Sequence, residues 1–185
     1  MKYQIFEIFK APIFTADEEK TRRARILTVL QLNMGAAILI LGTLGVIFLF
    51  AEKLISSFIL IIALLAVFIS MVLNRSGRID ASGIVLLGIL WTLTIFMSVL
   101  SGGMRSLDII FFVSGTVIAG ILLGVYGAFF YAGLSLVTGL VLIGLGNAGV
   151  IFPQLFSFPP FSAWIILFIN LVFTVIPLQV TFQSL

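Results

Sequence analysis

The stretch that decides the fold is residues 108–150, DIIFFVSGTVIAGILLGVYGAFFYAGLSLVTGLVLIGLGNAGV. After Asp108 it contains no charged residue. As one continuous helix, at 1.5 Å per residue, it would be about 64 Å long, roughly twice the hydrocarbon thickness of a bilayer. Gly124 and Gly127 flank a weak break near its middle. The stretch therefore predicts two membrane helices joined by a tight glycine turn.

The rest of the chain has the same character. Hydrophobic residues make up 62% of the sequence and charged residues only 9%, against about a quarter charged in soluble domains. The mean hydropathy is +1.33. We predict an all-α fold, a polytopic bundle of six transmembrane helices (residues 28–185) with an N-terminal amphipathic or cytoplasmic helical extension (residues 1–27). The predicted spans are about 28–50, 54–73, 81–100, 108–125, 128–150 and 162–182.

The N-terminal segment has two parts. In residues 1–14 the apolar side chains fall at helical spacing, which fits either a helix lying on the lipid surface or a frayed terminus. Thr15 through Glu18 then reads T-x-x-E, the pattern of a capping box. We therefore expect a helix that starts near Ala16 and runs directly into the first span.

Orientation follows from the basic residues in short loops, because cytoplasmic loops are enriched in Lys and Arg. With six spans and a cytoplasmic N-terminus, one side collects most of them: Lys2, Lys10, Lys20, Arg22, Arg23, Arg25, Arg75 and Arg78. The other side has only Lys53 and Arg105. This asymmetry predicts a multi-pass protein of the bacterial cytoplasmic membrane with both termini in the cytoplasm.

Several function classes have no residues to support them. The chain has no Cys and no His, so thiol nucleophiles and the common zinc, haem and iron ligand sets are absent from the sequence. The predicted spans contain no Asp, Glu, Lys or Arg apart from Asp108 at a boundary, whereas pumps, proton relays and voltage sensors place charge at mid-membrane. We predict no catalytic residues, no metal, no cofactor and no nucleic-acid binding, and therefore no enzyme activity in this chain.

Two groups of residues are candidates for ligand binding. Tyr131, Ser135 and Thr138 share one face of the fifth span, which either lines a pocket for an apolar, membrane-borne ligand or packs against a neighbouring helix. Arg105 and Asp108 lie in and after the SGGMRS loop of residues 101–106. They either contact a ligand from outside or form a capped turn in which the two charges pair.

Asn170, Thr174 and Pro177 share one face of the sixth span. Proline cannot donate to the carbonyl one turn earlier, so we expect a kink there. The kink either transmits a signal inward or is a passive packing feature. No basic residue follows this span, so we expect a further cytoplasmic segment after Leu185. Before the span, the aromatic and proline-rich residues 152–161 with Trp164 predict an interfacial belt or a lid.

Taken in order, these motifs resemble a known family. They are the basic block PIFTADEEKTRRARIL (residues 12–27), the Asn-Arg-x-Gly-Arg loop (residues 74–78), the SGGMRS loop, the hairpin LLGVYGAFFYAGLSLV (residues 122–137) and the aromatic-proline loop. The pattern is similar to the six-span N-terminal input module of bacterial multidomain sensor histidine kinases and related signalling proteins. The resemblance implies a sensory and signal-transmitting role, two-component signalling, and homodimerisation through a parent protein whose output domain follows the last span.

Two other functions remain open on the residues alone. A small neutral-solute transporter or channel subunit would need a water-accessible path lined by Tyr131, Ser135, Thr138 and Asn147. A structural or assembly protein would use its glycine faces to pack against a partner. In each case the surrounding partners are membrane lipids.

Overall fold

The computed structural model describes residues 11–14, 17–44, 53–103, 106–153 and 160–183. Within these ranges the chain is helical and has no β-strand. The helices, numbered here in chain order, are α1 (Glu18–Leu44), α2 (Lys53–Arg75), α3 (Ile79–Leu100), a short 3₁₀ turn (Leu107–Ile109), α4 (Ile110–Asn147) and α5 (Pro160–Gln183). The all-α prediction is confirmed for the described residues.

Helix α1 begins two residues later than expected and uses a different cap. The backbone N–H of Lys20 donates to Asp17 Oδ1 at 2.8 Å, so Asp17 is the N-cap. Asp17 therefore lies just before the first helical turn, and from there its short carboxylate reaches a free N–H group of that turn. Thr15, the predicted first residue of the capping box, lies outside the described residues, as do residues 1–10.

Helix α4 is broken where the glycine turn was predicted. Gly124 has φ 76° and ψ −170°, a conformation open in practice only to glycine. The two arms of α4, residues 110–123 and 125–147, fold back on each other. A Cβ atom built on Gly115 would lie 2.4 Å from Tyr131 Oη, and one on Gly120 would lie 3.4 Å from Ala128 Cβ. Such contacts require an antiparallel hairpin, since Gly115 and Tyr131 would be about 24 Å apart in a straight helix.

Four described helices are long and apolar enough to cross a membrane: Glu18–Ile40, Ser57–Arg75, Ile79–Leu100 and Ile110–Asn147, the last of which contains the break. Helix α5 adds a shorter apolar stretch, Leu167–Ile176. An α-helix suits a bilayer because its backbone N–H and C=O groups form hydrogen bonds within the same segment, and lipid offers them no other partner.

The buried core lies between α1, α2, α3 and the first arm of α4, with Leu27, Leu30, Leu86 and Ile118 almost completely buried. The second arm of α4 is peripheral. Only Tyr131, Thr138 and Leu142 of that arm are buried, Leu134 is half-buried, and its other large apolar side chains are exposed. An exposed apolar surface of this extent is stable in lipid and not in water.

Candidate functional site

A small polar cluster joins the first arm of α4 to α5. The Ser114 hydroxyl donates to Asn170 Oδ1 at 2.8 Å. The Thr174 hydroxyl lies 2.9 Å from both Ser114 Oγ and the Asn170 carbonyl oxygen, and its single proton can serve one of them at a time. We call Ser114, Asn170 and Thr174 the α4–α5 cluster. Asn170 lies about 15 Å along α5, near the middle of that helix.

The α4–α5 cluster is incompletely satisfied. Asn170 is 4% exposed, and its Nδ2 atom has no hydrogen-bond partner among the described residues. A buried amide without a partner carries a desolvation cost of about 1–3 kcal/mol. The sequence analysis placed Asn170 and Thr174 on one face of their helix. The structure adds Ser114 to this group. Ser114 lies in an apolar run, and nothing in the sequence indicated that it would contact Asn170.

The predicted ligand-binding face of the fifth span packs against a neighbouring helix. Tyr131 is 5% exposed and lies against Gly115, where the missing side chain makes room for the phenol ring. The Thr138 hydroxyl donates to the Leu134 carbonyl oxygen at 2.8 Å, one turn earlier in the same helix. Tyr131 Oη and Ser135 Oγ are buried without partners in the described part of the chain. Of the two predicted alternatives, helix packing describes Tyr131 in this structure.

Asp108 is buried at the opposite end of the bundle from Gly124. The Ser106 hydroxyl donates to Asp108 Oδ2 at 2.5 Å and accepts from the Asp108 backbone N–H at 3.2 Å. Burial raises the pKa of Asp108, and the nearby Ser106 and Ser101 hydroxyls partly offset this rise. The Ser101 hydroxyl has no hydrogen-bond partner among the described residues, so the hydrogen bond to this carboxyl comes from Ser106. Arg105, its predicted partner, lies outside the described residues.

Two other predicted features, the kink at Pro177 and the aromatic-proline loop, lie partly outside the described residues. Pro177 is within the helical bounds of α5, but its side chain, like that of Trp164, lies outside the described residues. Of the aromatic-proline loop, residues 154–159 are likewise outside. Phe152 is described, and its ring lies over Gly103, which has φ 74° and no space for a Cβ atom.

A second polar network, which the sequence analysis did not predict, joins α1, α2 and α3. Gln31 Nε2 donates to Ser70 Oγ at 2.8 Å and to Ser82 Oγ at 3.0 Å. Asn74 Nδ2 lies 3.0 Å from Thr28 Oγ1, 3.2 Å from the Ala24 carbonyl oxygen and 3.4 Å from Gln31 Oε1. The five side chains of this α1–α3 network, Thr28, Gln31, Ser70, Asn74 and Ser82, are all buried.

A usable signal for this network was present in the sequence. Gln31 is an amide inside an apolar run, and an intramembrane amide needs a partner on another helix. Asn74 was interpreted as the first residue of a loop, but it lies in the last turn of α2. The loop is therefore shorter than expected, and Asn74 faces α1.

The basic N-terminal block is tied to two other elements through Arg23. Its Nη2 atom lies 2.5 Å from Asp80 Oδ1, at the start of α3, and donates to the Leu122 carbonyl at 3.0 Å. Leu122 lies two residues before Gly124. The start of α1, the start of α3 and the α4 turn therefore lie at the same end of the bundle.

The described residues contain no group of three or more acidic side chains able to hold a metal ion. Chemically, the two polar clusters offer uncharged hydrogen bonding between helices. Comparison with known proteins finds no matching protein-family model, no similar curated protein and no similar solved structure.

Proposed function

We propose that this chain is the membrane-embedded sensory module of a larger bacterial signalling protein, most simply a sensor histidine kinase. In this proposal six spans cross the cytoplasmic membrane, both termini are cytoplasmic, and α5 passes the signal to an output domain that follows Leu185. The supporting observation is the α4–α5 cluster, an uncharged and incompletely satisfied set of hydrogen bonds that holds the last helix to the bundle.

Such a cluster suits a two-state element. The Thr174 hydroxyl has two acceptors within 2.9 Å, and Asn170 Nδ2 has no acceptor among the described residues, so a small shift of α5 exchanges one hydrogen bond for another. A cue then needs only different affinities for the two packings, and a tenfold difference is worth about 1.4 kcal/mol. The common position of Arg23, Asp80 and Leu122 supports the orientation, because it gathers the basic loops at one end.

The first test is the genomic reading frame that contains the chain. A PAS, HAMP or kinase domain starting within a few tens of residues after Leu185 is expected. A stop codon directly after Leu185, or an unrelated domain, contradicts the proposal.

The second test uses the full-length protein in liposomes, with autophosphorylation as the readout. Asn170→Ala and Pro177→Ala should each change the basal output, since both alter the face of α5 that reports packing. Gly133→Ala, on the peripheral arm with open space around it, is the matched control and should leave output unchanged. Unchanged output in both α5 variants contradicts transmission through α5.

A neutral-solute transporter is the second candidate, favoured by the buried hydroxyls of Tyr131 and Ser135, which have no partner among the described residues. It predicts uptake of small uncharged solutes by liposomes that contain the purified chain. Uptake at the rate of empty liposomes contradicts it and leaves the sensory proposal standing.

A further inference from the structure

An open cleft of about 540 Å³ lies at the end of the bundle where Arg23 meets Asp80. It is formed by the start of α1, the loop of residues 76–78 and the start of α3. Its charged lining residues are Asp17, Glu19, Lys20, Arg23, Arg78 and Asp80. Positive and negative groups are equal in number, so the cleft as a whole attracts neither anions nor cations strongly.

Only some of these charged side chains form an ion pair or a hydrogen bond within the protein. Arg23 pairs with Asp80, the one ion pair formed between described residues, and Asp17 caps α1 through one carboxylate oxygen. The Lys20 ammonium lies 4.8 Å from the centre of the Phe14 ring. Glu19 and Arg78 have no ion-pair partner within the described ranges. The cleft therefore presents two cations without an ion-pair partner among the described residues, Lys20 and Arg78, beside the Glu19 carboxylate and the second oxygen of the Asp17 carboxylate.

An apolar path leads away from the cleft along α3. Ala81 lines the cleft, and Ile84 and Gly88 follow at a spacing of three and four residues, so the three share one helix face. All three are exposed, Ile84 by 59%, and a Cβ atom built on Gly88 would meet nothing within 4 Å. A ligand with a charged head in the cleft can therefore lay an apolar tail along this face.

We propose that the cleft binds the headgroup of a phosphoethanolamine lipid. Lys20 and Arg78 contact the phosphate, Glu19 accepts hydrogen bonds from the primary ammonium, and an acyl chain follows Ala81, Ile84 and Gly88. A choline headgroup fits less well because its quaternary ammonium has no N–H to donate. An anionic glycerol headgroup leaves Glu19 facing no cation. The site depends on the membrane location of the chain and goes beyond the sensory proposal.

The test uses the chain in nanodiscs made from equal parts phosphatidylcholine and phosphatidylethanolamine, with native mass spectrometry of the lipids that stay bound. The wild type should retain phosphatidylethanolamine preferentially. Glu19→Gln should retain the two lipids equally, because it removes the group that distinguishes the ammonium ions. Arg78→Gln should lose up to about fivefold in lipid retention, the upper range for one exposed charge contact.

Arg25→Gln is the matched control, since Arg25 is an exposed base on α1 that does not line the cleft. It should keep the wild-type preference, and all variants should unfold at the same temperature in discs of phosphatidylcholine alone. Equal retention of the two lipids by the wild type overturns the proposal. So does an Arg25→Gln variant that loses as much retention as Arg78→Gln. Displacement of the bound lipid by soluble phosphoethanolamine would assign the cleft to a soluble ligand and overturn the lipid assignment.

Discussion

The α1–α3 network and the α4–α5 cluster join helices by the same means but differ in how many partners their members share. Both join helices by uncharged hydrogen bonds between buried side chains. In the α1–α3 network five side chains from three helices interlock, and Asn74 Oδ1 is its one buried atom without a partner among the described residues. In the α4–α5 cluster three side chains join two helices and leave Asn170 Nδ2 unpaired there.

This difference teaches where the bundle is rigid and where it can rearrange. A network whose members share partners loses several bonds when any one helix shifts, so α1, α2 and α3 move only together. The α4–α5 cluster loses one bond and has a spare donor to form another. The first three helices are therefore a scaffold, and α5 is the element whose position can change. Gln31→Ala and Ser114→Ala test this distinction, and Gly124→Ala and Asp108→Asn test the turn of α4 and the buried carboxyl.

The largest loss is expected from Gln31→Ala. It removes the hydrogen bonds to Ser70 and Ser82, leaves these hydroxyls and Asn74 short of partners, and opens a cavity, at a cost of about 3 kcal/mol. Unfolding in detergent, followed by tryptophan fluorescence, measures the change. Asn33→Ala on the same helix is the control, since Asn33 Nδ2 has no partner in the described structure to lose. Equal losses in the two variants would mean that the network does not stabilise the scaffold.

The next largest effect is expected from Gly124→Ala. A side chain at φ 76°, ψ −170° is strained by about 1–3 kcal/mol, so the variant should unfold more easily or open the hairpin between the arms of α4. Gly133→Ala lies in a helical segment with free space and should instead stabilise by up to about 1 kcal/mol. The same unfolding assay compares them, and a neutral Gly124→Ala would rule out the sharp turn.

A smaller effect, dependent on pH, is expected from Asp108→Asn. Burial raises the folded-state pKa of Asp108 above its ordinary value of 3.8, so the folded protein holds this proton more tightly than the unfolded chain. Stability should therefore fall as pH rises from 3.8 through the raised pKa and stay low above it. Asp108→Asn should flatten this dependence and be the more stable protein at neutral pH.

Thermal unfolding across pH measures this effect. Gln31→Ala should keep the wild-type slope, because the α1–α3 network contains no titratable group. A wild-type slope in Asp108→Asn would mean that another group titrates.

The smallest effect is expected from Ser114→Ala. It removes one donor to Asn170 from a cluster that already tolerates an unpaired amide, and interhelical hydrogen bonds in membranes average about 0.6 kcal/mol. Detergent unfolding should barely distinguish it from the wild type, whereas the position of α5 should change. Because the chain has no Cys, spin labels placed through Leu39→Cys and Leu171→Cys can report the α1–α5 distance without competing thiols. A loss as large as that of Gln31→Ala would place α5 in the scaffold.

Much of the fold could be predicted because a chain has few ways to cross lipid while satisfying its backbone hydrogen bonds. The predicted boundaries of the second and third spans, 54–73 and 81–100, lie within about two residues of α2 and α3. The break near Gly124 followed from length alone, since a single helix there would be far too long for a bilayer. The N-cap was assigned to the wrong residue because Thr15 and Asp17 are both good caps, and local sequence does not choose between them.

Less of the candidate site could be predicted. Helical spacing placed Asn170 and Thr174 on one face and likewise Tyr131 and Thr138, but it gave no partner for any of them. Tyr131 was expected on either a ligand-binding face or a packing face, and its contact with Gly115 depends on how the hairpin closes. Asp108 was expected to pair with Arg105, which lies outside the described residues, and the hydrogen bond that the structure describes comes from Ser106.

By itself the sequence determined that the helices are suited to lipid, roughly where they lie along the chain and where the sharp turn falls. These features depend on the length of each apolar run and on the backbone freedom of glycine. Only the tertiary structure decided which polar side chains meet: Gln31 with Ser70 and Ser82, Ser114 with Asn170, Arg23 with Asp80. These partners are separated by 39 to 57 residues along the chain. Contacts between helices depend on how each helix is rotated about its axis. A helix that is apolar on all sides does not encode that rotation in its sequence.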